Sequence, residues 1–115
     1  MGSHNISLGR AGEARAAAHY RAMGYIVLAQ NWRAGRTGEI DLVLARSGTI
    51  VICEVKTRSS DRFGQPAEAV DWRKQRRLRT LAFRYFDEHD VHPRSVRFDV
   101  ASVRGTTVEI IEAAF

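Results

Sequence analysis

Two acids and an amine, Asp41, Glu54 and Lys56, stand at a spacing that could hold a metal ion against a phosphate, and Glu39 adds a third carboxylate just before Asp41. They lie on two runs, Glu39 to Arg46 (EIDLVLAR) and Thr49 to Arg58 (TIVICEVKTR), which alternate in strand fashion around Ser47-Gly48. A two-residue loop of that kind predicts a tight hairpin whose register follows by counting: Arg46 faces Thr49, Ala45 faces Ile50, Asp41 faces Glu54 and Glu39 faces Lys56. Side chains alternate across a strand, so the four polar groups share one face with Val43, Ala45, Ile50 and Ile52. The other face (Ile40, Leu42, Leu44, Val51, Cys53, Val55) is wholly apolar, which predicts a strand pair inside a covered sheet.

Crowded carboxylates must be compensated. Two ionised ones about 4 Å apart repel by roughly 4 kcal/mol at an effective dielectric of about 20. Either one takes up a proton or something positive sits between them. Lys56 offsets one of the three charges, and the surplus of about two negatives suits a divalent cation. A plainer use of the same residues is an exposed strand end with a Glu39–Lys56 cross-strand pair, worth at most about 1 kcal/mol.

The elements that must carry these groups read in order. Ser7 can cap a first helix that runs to about Met23 and stops at Gly24, with Ala11, Ala14, Ala18 and Ala22 as a small, close-packing stripe and Glu13 beside it. Tyr25 to Gln30 predicts a short strand, and Asn31 to Gly38 a polar loop whose Arg33 and Arg36 are available to a phosphate. After the hairpin, Ser59 to Val70 reads as a loop over the strand end that carries Glu54 and Lys56. Asp71 is a good N-cap for a second helix, about Trp72 to Glu88, with Leu78, Leu81, Ala82, Tyr85 and Phe86 buried; Phe63 and Trp72 are expected in the core, the alternative being that they face a substrate. Strands at about Ser95–Val103 and Thr107–Glu112 follow, with Arg97 and Asp99 on one face and expected to pair structurally. The order α-β-β-β-α-β-β predicts an α/β fold, a mixed β-sheet flanked by helices.

Length, charge and cysteine usage bound the function. A chain of 115 residues suits one domain, here 5–115, since Met1-Gly2-Ser3-His4 resembles an expression-tag remnant. No apolar run approaches a membrane span, no signal-peptide pattern is present, and the single Cys53 lies among apolar neighbours, so a cytoplasmic protein with a buried thiol is expected. The net charge is +5 and the pI about 10.1, with the excess gathered at Arg58, Arg62, Arg73, Lys74, Arg76, Arg77 and Arg79. Acid surrounded by base is a pattern for holding a metal against a nucleic-acid backbone. The four histidines fall at no metal-ligand or triad spacing.

Asp41, twelve residues, then Glu54-Val55-Lys56 resembles the PD-(D/E)XK signature of restriction-endonuclease-like nucleases, with Ile40 where that name has proline. The element order is similar to that superfamily's core. Gly12-Glu13, Gly38 to Val43, Glu54 to Arg58, Phe63-Gly64, Lys74, Arg97 to Val100 and the closing Ala114-Phe115 together resemble the YraN family of small bacterial proteins, similar to archaeal Holliday-junction resolvases. The resemblance implies that Asp41, Glu54, the Val55 carbonyl and Glu13 hold Mg²⁺ or Mn²⁺. Lys56 would orient a water and stabilise developing charge, with Glu39 supporting either the metal or Lys56. Arg10, Arg58, Arg73, Lys74 and Arg77 would contact the sugar-phosphate chain without reading bases. The expected activity is phosphodiester hydrolysis in DNA, including branched DNA; the alternative is a nucleic-acid-binding module of the same fold with little or no turnover. Resolvase-like relatives pair to cut two strands, so a homodimer is the corresponding expectation.

Overall fold

The computed structural model describes residues 2–58 and 70–115, with side chains described from Gly9 onward. Helix α1 (Gly2–Ala22) is followed by strands β1 (Ile26–Ala34), β2 (Gly38–Arg46) and β3 (Thr49–Thr57), helix α2 (Trp72–Glu88), and strands β4 (Ser95–Arg104) and β5 (Thr107–Ile111). The five strands form one sheet in the order β1-β2-β3-β4-β5. All neighbours are antiparallel except β3 and β4, whose parallel pairing requires the crossover that α2 supplies.

Each face of the sheet carries one helix. Against α1 pack Leu42, Leu44, Val51, Cys53, Ala101 and Val103 with Ala16, Ala17 and Tyr20. Against α2 pack Val43, Ile50, Ile52, Phe98 and Val100 with Leu78, Leu81, Ala82, Tyr85 and Phe86. The expected apolar face of the hairpin holds except at Ile40, which packs on the α2 side while Leu42 packs on the α1 side. Strict alternation is therefore broken around Asp41.

Several local signals act as the sequence predicts. The Ser47-Gly48 turn gives Arg46–Thr49, Ala45–Ile50 and so on to Leu42–Cys53, with both turn residues at positive φ. Asp71 accepts the Lys74 amide at 2.9 Å and caps α2, and Gly24 at φ 89° ends α1. Arg97 and Asp99 pair as expected, and Cys53 is fully buried.

Four expectations are corrected. The first helix begins at Gly2, so Ser7 lies inside it and does not cap it. Its buried side is Gly12, Ala16, Ala17 and Tyr20, while Ala11, Ala14, Ala18 and Ala22 are exposed. Burying one tyrosine ring removes more apolar surface than a stripe of methyl groups, and the Tyr20 hydroxyl finds a partner inside. Strand β1 continues through Asn31 to Ala34, where the polar loop was expected, because Trp32 and Arg33 pair with Ile40 and Glu39. Only 35–37 are left to turn. Trp72 is 58% exposed and not part of the core. Most of the loop expected over Ser59–Val70, with Arg62, Phe63 and Gly64, lies outside the described residues. Among the described residues, no helix is long and apolar enough to cross a membrane.

Candidate metal centre

Backbone pairing between β2 and β3 ends at Leu42–Cys53, one residue short of the acids. Beyond that point β2 stays with β1, and β3 stays with β4 through Thr57–Val103. Asp41 fills the opening: its Oδ2 accepts the Val55 amide at 2.8 Å, substituting a side-chain oxygen for the carbonyl a continued ladder would supply. In an extended strand the amide and carbonyl of one residue project to the same side, so Val55 also turns its carbonyl toward this opening.

Other carboxylates reach the same place from different elements. Glu54, only 5% exposed, lies close enough to Asp41 for its charge to raise the Asp41 pKa. Glu13 arrives from α1 and Glu39 from β2, and one oxygen from each lies within 4.8 Å of Asp41 and of one another. Glu13 can reach because α1 lies very close to β3: a Cβ on Gly12 would fall 2.0 Å from the Thr57 hydroxyl oxygen. From the opposite face α2 sends Lys74, whose ammonium contacts Glu54. Lys56 stands 3.5 Å from the same Glu54 oxygen. The gap between β2 and β3 is thus a slot through the sheet, entered by α1 from one side and α2 from the other. A cavity of about 200 Å³ opens there, lined by Gly38, Glu39, Asp41, Glu54, Lys74 and Arg77 among others.

The cations are unevenly shared. Both lysines sit on Glu54, and Arg33 pairs with Glu39 at 3.2 Å. The expected Glu39–Lys56 facing pair is not formed: once β2 leaves β3, Glu39 faces Arg33 of β1 in the ladder. Asp41 has no ion pair among the described residues. Burial foremost, then the Glu54 charge, push its pKa up to about 8, against the lowering effect of the Val55 amide. Glu13 is also raised, chiefly by burial, despite a hydrogen bond with Asn31. Lys56 is lowered by burial and by the neighbouring Lys74 charge. Lys74 loses solvation as well, but its contact with Glu54 outweighs that and raises its pKa.

Protonation of one acid is the resolution available without a metal. A hard divalent cation is the other, and the donors fit it: Glu13, Glu39 and Asp41 bring oxygens within 4.8 Å of one another with no sulfur or imidazole among them, and Glu54, held by the two lysines, lies alongside. Mg²⁺ or Mn²⁺ suits that set.

Of the residues singled out from sequence, Asp41, Glu54, Val55, Lys56, Glu13 and Glu39 converge. The basic residues divide. Arg77 lines the cavity and Lys74, expected on the nucleic-acid surface, lies inside the site. Arg10 is one turn from Glu13 on exposed α1, Arg73 lies over Trp72, and Arg58 ends β3 with its amide on the Val103 carbonyl. Two contributors were missed. Asn31 holds Glu13, and its one signal was its tolerance of the left-handed backbone it adopts (φ 51°). Gly12 sets the approach of α1, which only the packed helix reveals.

Comparison with known proteins covers nearly the whole chain. A family model described as uncharacterised protein family UPF0102 matches residues 12–103. A UPF0102 protein of Frankia alni is 54% identical over 84% of this chain and 80% of its own length. Another from Frankia casuarinae is 49% identical over 95% of this chain and 96% of its own, and one from Moorella thermoacetica is 47% identical over 93% of each.

Proposed function

The chain belongs to the uncharacterised protein family UPF0102, and from that premise and the acidic slot we propose that it is a metal-dependent nuclease hydrolysing phosphodiester bonds in DNA, branched DNA included. The observation that carries this reading is the buried Asp41 carboxylate, bonded to the Val55 amide and crowded by Glu54, Glu13 and Glu39, with Lys56 beside it. Structural ion pairs do not need so many acids in one place, and a divalent cation is the partner that carboxylate crowding suits.

Asp41, Glu54, Glu13 and the Val55 carbonyl would hold Mg²⁺ or Mn²⁺, which when bound supplies Lewis-acid polarisation of a phosphate and an activated water. Glu39, held by Arg33, closes the acidic side of the slot. Lys56 projects its amine beside Glu54, where it can orient a water and stabilise charge developing on phosphate oxygens. Burial and Lys74 ease deprotonation of that amine, which suits it to proton handling. Lys74 fixes the Glu54 carboxylate. Arg77 lines the cavity, and Arg10 on α1, Arg58 just after β3 and Arg73 on α2 would join it in holding the sugar-phosphate chain by charge.

The test is cleavage of supercoiled, linear, flapped and four-way-junction DNA with Mg²⁺ or Mn²⁺. Cleavage that disappears in Asp41→Ala and Lys56→Ala supports the nuclease. Tight, salt-sensitive DNA binding that survives Asp41→Ala, with no cleavage by the native chain, favours a binding module of the same fold. Neither cleavage nor binding on any of these substrates, or on RNA, overturns the reading.

A further inference from the structure

Trp72 opens α2, is 58% exposed, and has two guanidinium groups over its ring, Arg73 at 5.1 Å and Arg76 at 5.9 Å from the centroid. Its treatment differs from that of Trp32, which packs edge-on against Tyr85 at 5.3 Å. Nothing in the helix accounts for the arrangement. Arg73, Lys74 and Arg76 crowd the positive end of the helix dipole, where the Asp71 cap supplies negative charge but the first turn holds no acid, a placement that does not favour the helix. An exposed cation–ring contact returns only about 0.5–1 kcal/mol. An exposed aromatic ring with arginines around it matches instead a base face with its phosphates.

The position matters as much as the composition. Two residues along the same helix, about 3 Å of rise, Lys74 touches Glu54 in the acidic slot. Trp72 also lies about 200° around the helix from Lys74, across a body about 10 Å wide, so a strand whose phosphate lies at the slot reaches the ring a few nucleotides further on. In a duplex the base faces are stacked on one another, and a surface ring meets only the phosphate rails. An unpaired base can leave its strand and stack.

Resting on the nuclease reading, we propose that Trp72 is a stacking platform for an unpaired nucleobase, with Arg73 and Arg76 taking the flanking phosphates. The preferred substrate then carries a single-stranded segment a few nucleotides from the scissile phosphate, as in a flap, fork or gap.

Binding of the full-length protein to a short oligothymidylate and to a blunt duplex, measured by fluorescence anisotropy without divalent metal, tests this. Trp72→Ala weakens oligothymidylate binding about 10-fold and duplex binding less than about 2-fold, while Trp72→Phe keeps most of the single-strand affinity. Oligothymidylate quenches the native tryptophan emission, and the quenching is lost in Trp72→Phe, which retains Trp32. Equal weakening on both substrates, no weakening on either, or a change only in self-association by sedimentation overturns the platform. If the native chain binds and cuts DNA but Trp72→Ala does not discriminate, this inference alone fails. If the native chain binds neither probe, the platform fails; if it also cuts none of the DNA substrates named above, the nuclease reading fails with it.

Discussion

Two acids enter the same sheet with opposite fates. Asp99 on β4 is fully buried and answered: it accepts from the Tyr20 hydroxyl at 2.7 Å, from Arg97 at 2.8 and 2.9 Å, and from the Ala113 amide at 3.0 Å. Asp41 on β2 is answered by one amide at 2.8 Å and surrounded by other carboxylates. The first cluster ties α1, β4 and the C-terminal segment together and has no charge left to offer. In the second, burial and the Glu54 charge push Asp41 up to about 8. Buried polar groups whose charges cancel hold a fold, whereas acids crowded until a pKa rises mark a candidate ligand site.

The largest expected effect separates the clusters by activity. Asp41→Ala and Lys56→Ala lower metal-dependent cleavage by about 100- to 1,000-fold with near-native circular dichroism, because each removes charge placed where the reaction develops it. A variant that cuts normally would put Asp41 in the same class as Asp99.

Stability should split the other way. Asp99→Asn removes the fully buried carboxylate that Tyr20 and Arg97 donate to, leaves Arg97 only Glu112 at 3.6 Å as counter-charge, and costs about 3 kcal/mol in urea unfolding. The same exchange at Asp41 removes repulsion while keeping an oxygen for the Val55 amide, so Asp41→Asn leaves the metal-free protein at least as stable at neutral pH. Equal losses at the two positions would erase the distinction.

Gly12→Ala tests how the acidic cluster is assembled. The added methyl meets the short, branched Thr57 side chain, which cannot swing away, so α1 must shift at a cost of about 1–3 kcal/mol. Glu13 moves with it, and Mn²⁺ affinity by calorimetry falls. Thr57→Ala in the same chain restores most of both; failure to restore them would show that another contact sets the helix position.

The remaining comparison is a slope with pH. An acid whose folded pKa is raised stabilises the fold fully below its unfolded value, about 3.9, and that contribution is lost as pH rises through about 8. The metal-free melting temperature should therefore fall across that window, beyond any drift seen in Asp41→Asn. A bound divalent ion needs the ionised acid, so the stabilisation given by Mn²⁺ should grow over the same range. A flat native profile would mean that Asp41 carries no such strain.

The legible part of this protein is the part written in short repeats. The Ser47-Gly48 turn and its period-two flanks gave the hairpin register, and with it the meeting of Asp41 and Glu54. The Asp71 cap and the stripe Leu78, Leu81, Ala82, Tyr85, Phe86 gave α2 to the residue. These follow from contacts between near neighbours, which local periodicity records. The rotation of α1 did not follow, because an alanine stripe and a face built on Gly12, Ala16 and Tyr20 differ by only part of a turn. The tyrosine's partner, Asp99, is 79 residues away.

Sequence alone thus determined which groups could do chemistry and which two strands carry them. Tertiary structure decided that β2 parts from β3 at Asp41, that Glu13 and Lys74 enter the opening from opposite faces, and that Glu39 turns to Arg33 instead of Lys56. The reason is physical. Strand register is fixed by the turn a few residues away, while the charge balance of a slot between strands depends on helices packed from elsewhere, whose approach is set by the volume each side chain fills.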